Sequence, residues 1–503
     1  MEYFVNCNTA TLAPYGTPLD RTKAAHLYRR LGFSASVQTI DQATGQNAGT
    51  LVDALVNQAI ATAPLAAPAW ANWTNANYPA DDDQARQLRR AQISDWQLAY
   101  TNALLNNGLK DRLSFFWSNH FVTELAVYDC AAFLAEYTDC LQRNALGNFR
   151  TFVSEIGLTS AMLFYLDGAY NNGNRPNENY ARELYELFTL GEGNRYDQTD
   201  IEETSKALTG YTDRGEVGCT KPAFNPERFN TDTKTIFGRT GNWGYDDVIN
   251  ILFEERADSI ARFVCTKLYE FFVHPDSKRE EYNPGGTYPV GHPQGIINAL
   301  ADTFLANNFE IAPVLRQLFK SEHFFDDTTI GVIIKSPFDL YLNLIKETGF
   351  AYNDDMLSQI LNNCNLLGQT LFSPVDVAGW QRDRTWINTN FIIGRWLTCE
   401  MLIEDFWNSN TEQFRTFGIA AAGPNGAITN DPDEVARAII DTLTPKGLLT
   451  PVDYSAAIDK FRAAYEPDMV YQNGSWNMNL PLAPQQVKDL LIHMASEPEF
   501  QLK

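Results

Sequence analysis

Three stretches of this chain place polar side chains at spacings that could do chemistry. The densest is YLDGAYNNGNRPNENYARELYELFTLGEG, residues 165–193. Asn177 suits an N-cap and Gly191 the position just past a helix end. A helix between them, turned by about 100° per residue, puts Tyr180, Leu184, Leu187 and Phe188 on one face, which must be core. Glu178, Arg182 and Glu186 then recur four residues apart on the opposite side, with Asn179 and Glu183 between the two faces. On an exposed surface that set is a Glu–Arg–Glu ladder contributing a few tenths of a kcal/mol per pair. In a cleft it is a carboxylate–guanidinium cluster whose Glu183, partly desolvated, could give or take a proton. The spacing alone favours the ladder. If Glu183 works as an acid or base, Glu183→Gln should abolish activity and spare the fold.

The second stretch is LSFFWSNHF, residues 113–121, where Asn119 and His120 follow the aromatic run Phe115-Phe116-Trp117 and could line a pocket. The third, VAGWQRDRTW, sets Trp380, Arg382, Arg384 and Trp386 within seven residues. Alternating Trp and Arg can stack on sugars or hold anions. They can equally form a loop pinned into the core by two indoles with arginines outside, and that reading is preferred. Asp167, Asn171 and Glu178 match the first, fifth and twelfth positions of a calcium loop, but Ala169 and Asn172 break its third and sixth. None of the six His (26, 120, 274, 292, 323, 493) pairs at a metal-ligand spacing, and no HExxH, GxSxG, P-loop or strand-borne GxGxxG occurs.

These side chains need a scaffold, and the patterning is helical. Asp20 precedes RTKAAHLYRRLGF as a plausible N-cap, and the Asp81–Asp83 run suits the positive end of a long helix. Thr199 and Glu202 have capping-box spacing before the next helix. The stretch after Gly210 loses helical signals and alternates through Phe229, Thr231, Thr233 and Thr235, which predicts a β-hairpin excursion near 215–240. The expected class is all-α, an irregular multi-helix array without a regular repeat. Its parts are an arm at 1–19, a helical region at 20–214, the β-containing insertion at 215–245, a second helical region at 246–400 and a third at 401–503.

Composition narrows the function. Sixty-two acidic against 39 basic residues give a net charge of −23. Nucleic acid and anionic lipid rely on Lys and Arg to displace counterions, so neither is an expected partner. No apolar run approaches the length needed to span a bilayer. Seven scattered Cys (7, 130, 140, 219, 265, 364, 399) form no CxxC, and Cys130 and Cys140 lie too far apart along one helix to bridge. They are expected to be free, mostly buried thiols, which suits a reducing compartment. With no secretory leader visible, a cytoplasmic location is expected.

The string PNENYARELYELFTLGEG followed by DIEETSKALTGY resembles the bacterial domain of unknown function 1800 family. So do AAHLYRRLGF, LSFFWSNHF, ALGNFR, IARFVCTKLYEFFV, LLGQTLFSPVDVAGWQRDRTWIN and ASEPEFQ, which together cover nearly the whole chain. The resemblance implies no activity. It implies a gene neighbourhood shared with the domain of unknown function 1501 family, which looks like the phosphatase and sulfatase fold, and hence a partner of that kind. Many relatives are exported. Relatives often carry His at the position of Phe188 and His-Asn-His where this chain has Ser118-Asn119-His120, so no metal centre is expected here. The preferred function is a helical interaction or accessory subunit, for which a broad exposed apolar surface or a homo-oligomer would be the mark. One alternative is an enzyme gathering Asn119, His120, Asn179, Arg182, Glu183 and Glu186, with His120 and Glu183 in hydrogen-bond reach. Another is a carbohydrate binder using Asn177, Glu178, Asn179 and the Trp/Arg loop.

Overall fold

A computed structural model describes residues 10–212, 218–276, 288, 290–423, 430–462 and 474–503. The sequence also breaks its helical patterning in a Gly/Pro stretch at 283–293 and a Gly/Asn/Pro loop at 422–433, and both lie partly outside these residues, as do the first nine positions of the arm. The protein is mainly α-helical, from Arg21–Leu31 to Ala483–Ser496. Helices start where the polar residues dictate. Asp20, Ser36, Asn47, Asp81, Asn148 and Ser336 each accept a hydrogen bond from a backbone N–H in the first turn that follows. The helix after the signature string is capped by the reciprocal pair Asp197 and Asp200, not by Thr199 and Glu202, because it begins two residues earlier, at Gln198. From residue 10 the arm is extended, and Tyr15 N–H donates to Lys320 O at 2.8 Å.

The β-hairpin is present: Lys234–Ile236 pairs antiparallel with Arg239–Gly241. Its two-residue turn, Phe237-Gly238, has positive φ at both positions, matching the twist of the flanking strands. The alternation from Phe229 starts too early, since the first strand of the hairpin begins only at Lys234. A second two-residue pair joins Tyr211–Thr212 to Ala223–Phe224. The helix Thr389–Ser409 runs through position 400, so the expected boundary there falls inside a helix. One continuous apolar core extends from Leu19 to Phe500.

The expectation of free thiols needs one correction. Cys130 and Cys219 are joined by a disulfide, with Cα atoms 5.4 Å apart and a sequence separation of 89. Cys130 immediately precedes the helix Ala131–Asn144, so it faces a neighbouring segment instead of Cys140. Cys140, Cys265, Cys364 and Cys399 are free and buried. The thiol argument for a reducing compartment therefore loses its basis.

Candidate functional site

The signature string folds into a short α-helix, Asn179–Glu183, that widens into a π-helical turn over Leu184–Thr189. Asn177 caps it by accepting from Asn179 N–H at 2.8 Å, and Glu178 takes the terminal position itself. Tyr180, Leu184 and Phe188 are buried as the period requires, while Leu187 is half-buried. Tyr185 is fully buried as well, because the extra residue of the π turn rotates it inward. The ladder forms: Arg182 Nη2 lies 2.8 Å from Glu178 and Nη1 3.4 Å from Glu186. All three are part-exposed, so the pairs contribute little. Asn179 donates to Asp167 at 2.8 Å, and Asn171 spans Ser205 O and Asn177 N–H. The asparagines tie the loop to the helix, and the calcium-loop positions are spent on these bonds and on Arg182.

Glu183 is half-buried, and desolvation together with Glu186 raises its pKa against the pull of Arg182. An acid whose pKa is raised by folding destabilises the fold when ionised, above the ordinary carboxylate range. Glu183→Gln removes that penalty. It is expected to raise the melting temperature slightly at pH 7 and to leave it unchanged near pH 3, where the native residue is already protonated in both states. Thermal melts at the two pH values check this.

The second and third stretches meet each other, not the ladder. Around a cavity of about 220 Å³ stand Phe115, Phe116, Asn119 and His120 from one segment and Trp380, Arg382 and Trp386 from the other. Glu270, Phe271, Ser336, Asp339, Gln369, Asp383 and Lys503 complete much of the lining. The Trp/Arg segment is a loop held by its indoles, as preferred: Trp380 and Trp386 are both buried, and Arg384 is exposed. Trp380 Nε1 donates to Thr370 O, and its ring lies 5.0 Å from that of Phe115. Its backbone N–H donates to Asn119 Oδ1 at 2.6 Å. That approach needs the glycine before it. Gly379 has φ +96, and a Cβ there would sit 2.4 Å from Asn119 Oδ1.

His120 connects the cavity to the signature helix. Its Nε2 donates to Phe188 O at 2.9 Å, at the end of the π turn. The carbonyl can only accept, so Nε2 carries the proton and Nδ1 is a bare acceptor. Burial and the charge of Lys267 push the His120 pKa down to about 3, so the ring is neutral throughout the physiological range. His120 therefore orients but does not shuttle protons at neutral pH. Glu183 does not line the cavity, and among the described residues the partner of His120 Nε2 is Phe188 O and not Glu183.

Beneath the cavity lies a set of charges the sequence reading missed. Asp339 accepts from Ser336 N–H and Oγ, as in a capping box, and pairs with Arg112 at 2.8 Å and with Lys503. Arg112 is sandwiched between Phe33 and Phe271, 4.5 Å from each ring centroid. Arg29 pairs with Glu347 at 2.6 Å. Arg30, Lys335 and Arg395 are equally buried and make no ion pair with a carboxylate among the described residues. Arg29, Arg30, Arg112, Lys335, Arg395 and Lys503 thus outnumber Asp339 and Glu347, the side-chain carboxylates that pair with members of this set among the described residues. Desolvation pushes Lys335 down to about 8 and, with help from Arg112, Arg30 down to about 9. A buried Glu270 is bound on the cavity side by Arg382 at 2.9 Å. Lone charges inside apolar runs, such as Glu270 in LYEFFV and Asp339 in SPFDLYL, were the available signal.

One further surface feature stands out. Helix Thr389–Ser409 exposes Ile393, Trp396, Leu397 and Met401, which share a face at the helical period, and exposed Ile387 precedes it. Leu366, 71% exposed, ends a helix packed against this one.

In comparisons with known proteins, the model of the family described as Protein of unknown function (DUF1800) matches residues 26–502. No curated protein and no solved structure matches.

Proposed function

Since the chain belongs to the family described as Protein of unknown function (DUF1800), which supplies no activity, we propose from its surface that it is a helical interaction protein. The supporting observation is the apolar stripe on Thr389–Ser409. Large exposed apolar side chains are unremarkable singly, but four on one helix face with Ile387 and Leu366 beside them form a patch of the kind that docks a partner. The spacing of Ile393, Trp396, Leu397 and Met401 suits an apolar helix laid against it. Exposed Glu400 lies on the same face at the helical period, Glu404 one turn on is paired with Lys488 at 2.7 Å, and the chain as a whole carries −23. Like charges repel, so a second copy is disfavoured. The occupant is a different protein presenting an apolar helix with basic flanks. The phosphatase- or sulfatase-like family that shares the gene neighbourhood is the first to try. Trp380 and Trp386 are buried and present no stacking face on the surface, so the carbohydrate reading has less support than the apolar stripe.

The test uses a photo-crosslinking residue at position 397 in the full-length protein. Crosslinks to one distinct protein through a basic-flanked apolar segment are expected. The double substitution Leu397→Glu and Met401→Glu should weaken that complex at least tenfold without lowering the melting temperature, since both side chains are already in water. Crosslinks between copies of this chain, or a complex indifferent to the double substitution, would overturn the proposal.

A further inference from the structure

The cavity between the Phe115–His120 segment and the Trp380–Trp386 loop has no part in the docking surface, and its chemistry is one-sided. We propose that it is a binding site for a small organic carboxylate carried on a flat apolar body.

Three observations carry this. The first is shape. Phe115, Phe116, Phe271 and Trp380 line the cavity, and pack on one another in the pairs Phe115–Trp380 and Phe116–Phe271, each 5.0 Å between centroids, so that they offer a flat ligand an aromatic wall. An engineered apolar cavity of about 150 Å³ takes up benzene, so about 220 Å³ accommodates one ring and a headgroup.

The second is the hydrogen-bonding inventory. Asn119 and Gln369 both line the cavity, and each has its amide oxygen tied to a backbone N–H, of Trp380 at 2.6 Å and of Phe338 at 3.0 Å. That fixes which end of each amide is which. The NH2 ends have no hydrogen-bond partner among the described residues. Two oriented donors therefore wait for an acceptor. Lining carboxylates do not compete for them. Glu270 is held by Arg382 and Asp339 by Arg112, Lys503 and Ser336, while Asp383 sits on the half-exposed turn of the loop.

The third is the field. Behind Asp339 the buried cations outnumber the carboxylates, and Arg30, Lys335 and Arg395 keep nitrogens with no hydrogen-bond partner among the described residues. Water is largely excluded there, so this excess acts on the cavity with little screening. A neutral ring would fill the slot and ignore both the donors and the field. A bare inorganic anion would meet the donors and leave the aromatic walls wet. An aryl carboxylate meets all of them.

Titration calorimetry on the full-length protein tests this with benzoate, its neutral counterpart benzamide, and inorganic phosphate. Benzoate is expected to bind saturably at least tenfold more tightly than benzamide, and phosphate not to bind. Asn119→Asp keeps the oxygen that receives Trp380 N–H and replaces the donor by a charge, so it should weaken benzoate at least tenfold. Arg384→Gln, on the exposed side of the same loop, should leave benzoate affinity within twofold. If Asn119→Asp does not fold, Gln369→Met removes the other donor and should lower affinity with the same preference. Equal affinity for benzoate and benzamide, no saturable binding of benzoate in the millimolar range, or full affinity in a folded donor variant would each overturn the proposal.

Discussion

Asp339→Asn is expected to cost the fold about 3–5 kcal/mol, the scale of leaving a buried charge without its counter-ion. The carboxylate is 3% exposed and is the hub for Arg112, Lys503 and Ser336. The amide keeps its size and some hydrogen bonding but leaves two buried cations unbalanced, in a region where cations are already in excess. Urea unfolding checks this: the midpoint should fall with little change in slope. If the single variant is too unstable to purify, the double variant Asp339→Asn with Lys503→Met should recover part of the loss, since one orphaned charge is removed with its partner. The pH dependence has a definite sign. Burial alone would raise the Asp339 pKa, but Arg112 and Lys503 hold it well below the ordinary carboxylate range. Its contribution is complete above the unfolded value, about 3.9, and is lost as pH falls below that toward the folded value. Wild type should therefore lose stability between pH 4 and pH 2 by more than the Asn variant does, with the other carboxylates common to both.

The parts of this architecture that depend on local rules were legible in the sequence. Asp20 and Asp81 cap their helices, Arg182 bridges Glu178 and Glu186, and a hairpin occupies the stretch after Gly210. Each follows from residues within a few turns of one another. The cavity was half legible. Asn119 and His120, and separately Trp380, Arg382 and Trp386, were candidate site residues, but spacing cannot show that two segments about 260 positions apart share a wall. In the alternative enzyme reading the signature helix is the partner of His120 through Glu183. It is a partner through its backbone: the π turn ends so that Phe188 O meets the imidazole. Backbone carbonyls leave no trace in residue identity, and neither does a single-residue π insertion that moves Tyr185 inward. The Asp339 hub left one signal, a lone charge inside an apolar run, while Arg112 and Lys503 read as ordinary surface charge until the fold buries them with it.

Removing the Cys130–Cys219 bridge is the other change expected to have a large effect. Closing a loop between ends separated by 89 positions removes chain entropy from the unfolded state equivalent to about 4–5 kcal/mol in the simple entropic model. Strain or residual structure in the unfolded chain would lower the figure. The native side of the balance is favourable. Cys219 N–H donates to Asn75 Oδ1 at 2.8 Å, and both cysteines are fully buried. Cys130→Ser with Cys219→Ser is expected to lower the urea midpoint markedly, and reductant should do the same to wild type. Reductant should then have no further effect on the double variant, because Cys140, Cys265, Cys364 and Cys399 are free thiols. Alkylation of denatured, unreduced protein should leave Cys130 and Cys219 unlabelled in one linked peptide pair. That outcome would also favour a working compartment that is oxidising, since such a bridge is rarely kept where glutathione and thioredoxin hold thiols reduced. Full labelling of both cysteines, with a stability indifferent to reductant, would restore the reading of the chain as a protein of free thiols.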